Sequence, residues 1–530
     1  MLTLLPILIN LLAAGVIFLF SRLKTNIGRA WLGAAIFSML NWGLILALRW
    51  FYPLQFQIAE WFPFGEVYQQ SLFFQLDSYS WPLMIALCAV QTAVIITDSS
   101  RLDEIPSVNV WSGVFLVYAV GFLAVLSNSI ITFMLIWALV DLIEFLVLVK
   151  TTSQKELTNE IVVSFSVKTL GLMLLILGLL VSFNFGIPLQ IGQLDNQVGI
   201  FVLIAVGLRM GVIPFNLPFV RGSSVRRGLG NAIRMISVSS SLIVLLRLSV
   251  VGFLEPTLSI LLTLTSIGIL FGSIMWFNSS NELEGRPYWI ITLAGLAIYS
   301  SIQGEQLAVL SWSLVLILSG SVIFLYSARG RKLSVLPLLA IIGMSGLPFT
   351  PGVAGWEGVI VSGELIRNII AILSVAFLIL GYLQHANQPT VLLTQKEKWS
   401  WLTYPLGLSL LNITHWVIFL LSDLGLLMQG MILASAIAFV IPLIIYFLIT
   451  RYMRASYYSE YFQDVLRPFG RIFIRIVSLR WLYQLIWSFL IFVQKIVNIL
   501  ANILEGQGGI IWVVVFLIML ITLITSGDLI

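Results

Sequence analysis

Apolar residues run along this chain in long, nearly uninterrupted blocks separated by short polar stretches, without the strict alternation of half-buried strands. Sixteen blocks can be marked, near residues 1–21, 30–49, 80–97, 110–127, 130–149, 161–183, 197–217, 231–253, 256–277, 288–303, 306–327, 334–362, 367–385, 402–422, 429–450 and 509–526. Most approach the roughly 20 residues that a helix needs to cross a bilayer. The fold class predicted is an all-α polytopic membrane protein with about 14–16 transmembrane helices. Residues 1–21 follow no positive stretch and precede no small-residue cleavage site, so they read as the first helix and not as a cleaved signal peptide.

Two stretches break the pattern. Residues 50–78 open with Trp50, Phe51, Tyr52, Phe56, Trp61, Phe62 and Phe64, which reads as an ordered external excursion at the membrane interface, where aromatic rings are favoured. Residues 451–508 carry Arg451, Arg454, Arg467, Arg471, Arg475, Arg480 and Lys495 against Glu460, Asp464 and Glu505. Phe469, Ile472, Phe473, Ile476, Leu479, Tyr483 and Ile486 recur there at helical spacing. This predicts a basic amphipathic segment lying along the cytoplasmic interface, broken once at Pro468, with one more tilted span near 481–500 as the alternative.

Composition narrows the class. Hydrophobic residues make up 59% and charged residues 10%, against about 25% charged in soluble domains, which excludes a soluble globule as well as collagen-like and disordered chains. The single cysteine, Cys88, excludes a disulfide scaffold and an iron–sulfur centre. No P-loop, dinucleotide fingerprint, CxxC or metal-ligand cluster is present, so no cofactor is expected and any redox chemistry belongs to another subunit.

The formal charge of +5 is modest and distributed by side, which reports loop orientation and gives no reason to expect nucleic acid as a partner. Arg22, Lys24, Arg29, Lys150, Lys155, Arg221, Arg226, Arg227, Arg329, Arg331, Lys332, Lys396, Lys398, Arg451 and Arg454 follow odd-numbered blocks. Glu60, Glu66, Asp195, Glu255, Glu305 and Asp423 fall on the opposite side. The N-terminus is therefore expected outside a bacterial or archaeal cytoplasmic membrane. Two expected inside loops are acidic (Asp98, Arg101, Asp103 and Glu104; Glu282, Glu284 and Arg286), but acidic residues weigh little in this rule.

Two blocks contain helix breakers. GLRMGVIPFNLPF holds Pro214 and Pro218, and IIGMSGLPFTPGVAGWEG holds Gly346, Pro348, Pro351, Gly352 and Gly355. Proline removes a donor, and the freed carbonyls must face protein or water within a membrane. A pair of broken helices in two halves points to an inverted-repeat transporter, and a packing kink is the plainer reading. Charges inside the blocks are Asp141, Glu144, Lys168, Arg209, Arg234, Arg247 and Glu357. Each costs roughly 2.5–3.5 kcal/mol on insertion scales and is a functional candidate by default. Asp141 and Glu144, three residues apart, share a helix face, and Lys168 could neutralise one of them. A proton-exchanging site and a static ion pair both remain open. Arg234 and Arg247, toward opposite ends of one block, are expected to snorkel. His385 and His415 read as structural. Ser237, Ser239, Ser240 and Ser241 could line a wet path or serve helix packing.

These residues bring a family into view. The chain resembles the antiporter-like membrane subunits of respiratory complex I, membrane-bound hydrogenases and multisubunit sodium/proton antiporters. Phe74 to Ser80 is similar to the family's LDGLS segment, Trp137 to the start of its WE motif, Pro214-Phe215-Asn216 to its PFH motif, and Gly346-Leu347-Pro348 with Gly352 to Gly355 to its GIP…GF.G stretch. The basic segment and the last span from Glu505-Gly506 resemble the lateral helix and terminal anchor of the longest members. The resemblance implies N-terminal helices with the excursion at 1–109, antiporter-like repeats at 110–253 and 254–390, further spans at 391–450, the lateral segment at 451–508 and an anchor at 509–530. The charges inside the blocks make Asp141, Glu144, Lys168, Arg209, Arg247 and Glu357 the ion-pathway candidates, with helix breaks at Pro214, Pro348 and Pro351. The family's glutamate falls on Ala138 with Asp141 one turn later, its helix-seven lysine on Arg209, its PFH histidine on Asn216, and its helix-twelve lysine near Trp356 beside Glu357. Because arginine stays charged, proton conduction is expected to bypass Arg209 and to use the carboxylates, Lys168 and water.

The functional expectation is a proton- or sodium-moving subunit of a complex I-like assembly, with other membrane subunits, lipid and a cytoplasmic soluble subunit as partners. The alternatives are a non-conducting scaffold subunit and the membrane partner in ion-driven uptake of inorganic carbon.

Overall fold

Each of the sixteen apolar blocks contains a helix or a helix pair, and block 334–362 is α-helical only in its first part. The computed structural model describes residues 2–23, 26–58, 72–104, 107–151, 155–185, 191, 194, 196–213, 216–217, 226–248, 257–328, 333–388, 400–422, 431–452, 484, 487–488, 491–496, 498 and 509–526. The chain divides into two units, Met1–Leu466 and Arg467–Ile530. The first holds α1 (Leu5–Arg22), α2 (Ile27–Ala47), α3 (Ser80–Thr97), α4 (Asn109–Leu126), α5 (Ile130–Thr151), α6 (Lys155–Asn184), α7 (Asn196–Met210) and α8 (Arg227–Arg247). It continues with α9 (Thr257–Phe277), α10 (Glu282–Ile302), α11 (Gln306–Leu314), α12 (Gly320–Leu325), α13 (Val335–Met344), α14 (Leu365–Ala386), α15 (Ser400–Leu421) and α16 (Ile432–Tyr452). The second unit holds α17 (Gly509–Ser526).

Among the described residues, eleven helices are long and apolar enough to cross a membrane, counting α11 and α12, which a single π-turn joins, as one. Shorter apolar helices lie within α7, α13, α16 and α17. The chain is an integral membrane protein, and its outer helices agree: Leu170, Met173, Leu177 and Leu180 form an exposed apolar stripe on α6. The lateral segment expected at 451–508 falls largely outside the described residues, Pro468 included.

The innermost helices are α3 and α8. Every residue of α3 is buried, as expected of a helix that is apolar on all sides. Its entry is fixed by Asp77, whose Oδ1 accepts from the backbone N–H groups of Tyr79 (3.1 Å) and Ser80 (2.8 Å). That carboxylate satisfies donors that the first helical turn leaves without partners. The more polar α8 is also buried and packs against α3, α4, α5, α7, α10, α11 and α12. Its Asn231 donates to Ser321 (3.0 Å), and its Ser240 donates to the carbonyl of Ser237 (2.6 Å). Polar groups there are kept away from lipid, and Asn231, Ser237 and Ser240 are tied into hydrogen bonds.

Three sequence expectations need adjustment. The excursion at 50–78 contains a two-stranded antiparallel ribbon, β1 (Leu54–Gln57) and β2 (Phe73–Leu76), with Leu54 opposite Leu76, and residues 59–71 lie outside the described residues. The acidic stretch Glu282, Glu284 and Arg286 is no loop but the start of α10, capped by Asn281, whose Oδ1 accepts from Leu283 and Glu284. The block 334–362 is not one span. Helix α13 ends at Met344, residues 345–364 turn without regular α-helix, and a 3₁₀ turn at Val353–Trp356 precedes α14.

Candidate functional site

On α5, side chains at 137, 141, 144 and 148 form a buried stripe, whereas 138, 139, 142 and 146 are exposed. The i, i+3, i+4 spacing of a helix produces this division. Asp141 and Glu144 are 4% and 5% exposed, and each has a cation from a different helix. The Arg209 guanidinium at the end of α7 grips both oxygens of Asp141: Nη1 meets Oδ2, and Nη2 donates to Oδ1 at 2.9 Å. Lys168 of α6 donates to Glu144 Oε2 at 2.5 Å.

The surroundings of the two cations differ. Arg209 also donates Nε–H to Ser241 Oγ (3.3 Å), and its guanidinium carbon lies 4.2 Å from the centre of the Trp137 ring. Trp137 is itself held by Nε1–H donation to the Ser240 carbonyl at 2.9 Å. The Arg209 stem passes Gly171 of α6, where a Cβ would lie 3.0 Å from the Arg209 Cγ. A bidentate fork with a stacked aromatic face is the arrangement that guanidinium makes and ammonium does not. Lys168 instead has a second acceptor, Ser237 Oγ at 3.0 Å. It borders a small cleft of about 10 Å³ between α5 and α6 that Asp141, Glu144, Ser164, Phe145 and Phe165 also line.

The break after α7 is built around Gly211, whose positive φ of 79° suits glycine. Asn216 closes the helix end by donating Nδ2–H to the Leu208 carbonyl at 3.2 Å. Pro214 lies outside the described residues. In the second break, Pro348 and Pro351 both lie in the turn after α13, and the Pro351 carbonyl accepts from Ser311 at 3.1 Å. Gly346 has φ of 70°, and a Cβ there would collide with the Trp356 indole nitrogen.

The structure thus brings together Asp141, Glu144, Lys168 and Arg209. It places Arg247 and Glu357 elsewhere. Arg247 does not snorkel: it is 5% exposed and bonds Asp77 (3.2 Å), the Gln75 carbonyl (3.0 Å) and the Ser127 carbonyl. It ties the end of α8 to the ribbon and to the start of α3. Arg234 is buried too, donating to the Gly230 carbonyl at 3.0 Å, with Glu144 near enough for their charges to attract. Glu357 follows the 3₁₀ turn, beside Glu305. Ala138 is on the exposed face, so Asp141 holds the interior position on α5. His385 and His415 are both buried, and His385 contacts Ser279 at 3.0 Å. Sequence reasoning missed Asp77 as the partner of Arg247, and missed the pair Arg227–Glu282 (2.7 Å). The acidic residue straight after Leu76, just ahead of the α3 block, is the signal that could have pointed to the first. Among the described residues no cluster of metal-binding side chains occurs.

No family model matches the chain, and no curated relative matches it. Solved structures do. A chain of the Mrp complex from Dietzia sp. DQ12-45-1b superposes with a TM-score of 0.73 at 14% identity, covering 100% of this chain, which spans 63% of that one. A chain of the membrane-bound sulfane sulfur reductase, an archaeal respiratory membrane complex, gives 0.68 at 14% identity and covers 98% and 99%. A chain of respiratory complex I from Thermus thermophilus gives 0.58 at 14% identity and covers 78% and 97%. The chain shares its fold with membrane chains of these multisubunit complexes.

Proposed function

We propose that the chain is an antiporter-like membrane subunit of a complex I-like assembly and that it moves protons through the Glu144–Lys168 pair. The shared fold supports the first part. The observation that carries the second is the cation of each pair. Lysine bound to a carboxylate is a pair in which both groups can exchange a proton, whereas arginine stays charged. Lys168 and Glu144 border the small cleft, which has room for about one water molecule beside the pair. Asp141 and Arg209 act as a fixed dipole beside it, biasing the pair without relaying protons. The breaks after α7 and α13 support reading residues 110–253 and 254–390 as two antiporter-like repeats. The charge pattern of the loops supports an external N-terminus and a cytoplasmic basic segment at 451–508 that braces a neighbouring subunit.

The test is proton flux in proteoliposomes holding the purified complex. Glu144→Gln is expected to reduce flux at least tenfold with assembly intact. Unchanged flux would remove the pair from the pathway. Cysteine placed at Ser223 is expected to label from the cytoplasm, and labelling from outside would reverse the topology.

A second reading has its own observation. A bidentate arginine standing where the family has lysine suits a scaffold subunit that keeps the fold and conducts nothing. Under that reading Glu144→Gln and the unaltered complex show the same background flux.

A further inference from the structure

Glu144 lines two separate clefts, and no other residue lines both. The first is the cleft it shares with Lys168, Asp141 and Ser164 between α5 and α6. The second is of the same size, about 10 Å³, and lies between α4, α5 and α8. Each of those helices gives it one pair of side chains three residues apart: Val117 and Val120, Val140 and Ile143, and Ile233 and Ile236. Residues at that spacing share a helix face. The second cleft is thus walled by aliphatic side chains, and Glu144 is the one polar residue in its lining. Helices α4 and α8 approach closely beside it, since a Cβ on Gly121 would lie 3.0 Å from Ile236 Cγ1. Val140, Ile233 and Ile236 are buried, whereas Val117, Val120 and Ile143 are half-buried, and the exposed Leu116 and Leu142 adjoin them in the chain. This cleft therefore lies toward the apolar outer surface.

The charge on Glu144 decides which cleft suits it. As a carboxylate it is held by Lys168 at 2.5 Å, and among the described residues its side chain accepts no other hydrogen bond. The charges that face it are Lys168 from α6, Asp141 one turn earlier on α5, and Arg234 from α8, which is near enough to attract it. From α4 it meets only Val117 and Val120. A carboxylate stripped of its partner is costly among aliphatic side chains, whereas a neutral carboxylic acid is buried there at far smaller cost. A proton passing from Lys168 Nζ to Glu144 Oε2 breaks one N–H bond, forms one O–H bond and leaves an amine and an acid, both neutral. The attraction of Lys168 is then gone, and that of Arg234 has no charge to act on. Beside the acid lies an apolar cleft with room for about one water-sized group.

We propose that the cleft between α4, α5 and α8 is a second seat for the Glu144 side chain, occupied by its neutral acid form, while the carboxylate form stays with Lys168. Rotation between staggered rotamers of one glutamate exchanges the two seats. In the second seat the acid is parted from Lys168, which leaves the amine free to take up a proton from water in the first cleft. The inference rests on the reading of Glu144 and Lys168 as a proton-exchanging pair, and adds where the proton is held.

The experiment places the full chain with its co-purifying subunits in phosphatidylcholine vesicles and treats them with dicyclohexylcarbodiimide, a lipid-soluble reagent for protonated carboxyls. The acid proton moves to a carbodiimide nitrogen, the carboxyl oxygen bonds to the central carbon, and the adduct rearranges to a stable N-acylurea that peptide mass spectrometry assigns to one residue. Glu144 is expected to be modified, and Asp141, gripped by Arg209, is expected to stay unmodified. Val120→Leu fills the second cleft and is expected to slow modification about fivefold or more, the lower end of what overpacking costs. Val117→Leu serves the same purpose if Val120→Leu does not assemble. Val120→Ala widens the cleft and is expected to quicken modification. Ser164→Val, on the Lys168 side, is expected not to slow it. An unmodified Glu144, equal modification of Asp141, or slowing by Ser164→Val and by neither leucine variant would overturn the proposal. Proton flux in untreated vesicles separates this inference from the pathway it rests on. An unmodified Glu144 with flux lost in Glu144→Gln removes the second seat alone. A Glu144 whose modification is slowed by Val120→Leu, with flux unchanged in Glu144→Gln, keeps the seat and removes the pathway.

Discussion

Two ion pairs sit one helical turn apart on α5, equally buried, each supported by a serine of α8. Asp141 faces an arginine and Glu144 a lysine. Everything that separates a fixed charge from an exchangeable one follows from that contrast. A stranded lysine inside a protein can release its proton and become neutral, since burial shifts its pKa readily. A stranded arginine stays charged. The same helix face thus presents a permanent dipole at one turn and, at the next, the pair proposed to exchange protons.

The contrast predicts unequal responses to breaking each pair. The largest effect is expected from Arg209→Ala, which leaves Asp141 as a buried carboxylate without its cation. Loss of one partner of a buried pair costs about 3–5 kcal/mol, visible as reduced assembly yield and a lower unfolding temperature. Normal assembly with full flux would show that Arg209 is neither counter-charge nor electrostatic gate. Next comes Asp141→Asn against Glu144→Gln. Asp141→Asn strands an arginine and is expected to be the less stable by roughly 1–2 kcal/mol in thermal unfolding, following the penalty for an uncompensated buried charge. It is also expected to lower flux, because an uncompensated positive charge then stands beside the Glu144–Lys168 pair. Equal losses of stability would mean that Lys168 stays charged when stranded.

Smaller effects sharpen the picture. Arg209→Lys keeps the charge and loses the fork, and is expected to cost about 1 kcal/mol, the scale of one net hydrogen bond. Its flux is expected to equal or exceed that of the unaltered complex. Ser237→Ala removes the second acceptor of Lys168 and is expected to cost about 1 kcal/mol or slightly more, given the charged donor. Proton flux should slow a few-fold, whereas Ser241→Ala, beside Arg209, should leave flux unchanged. Equal slowing by both serine variants would argue against separate roles for the two pairs.

Much of this arrangement was legible in the sequence. Unbroken apolar runs marked the spans, because a lipid-facing or fully buried helix has no polar face to interrupt them. The three-residue spacing of Asp141 and Glu144 placed both carboxylates on one face. Which cation each would meet was not legible, since Lys168 and Arg209 come from other helices and pairing depends on how α6 and α7 pack against α5. The start of α10 was hidden for a related reason. Glu282 and Arg286 look like loop residues until Arg227 and Phe324, from other helices, are placed against them. Arg247 at a helix end read as a snorkelling side chain, and only the fold brings Asp77 over it. The extent of the second break was also hidden: Pro348 and Pro351 mark it, but the positive φ at Gly346 and the indole of Trp356 filling the space beside it are properties of the packed chain.

The central claim is that protons pass by the lysine pair and not by the arginine pair. Removing both members of a pair at once avoids stranding a charge, so the most direct measurement compares two double variants in proteoliposomes of the purified complex. Asp141→Asn with Arg209→Gln is expected to retain proton flux, and Glu144→Gln with Lys168→Gln is expected to reduce it to the level of empty vesicles. Retained flux in the Glu144/Lys168 double variant, or its loss in the Asp141/Arg209 double variant alone, would contradict the account.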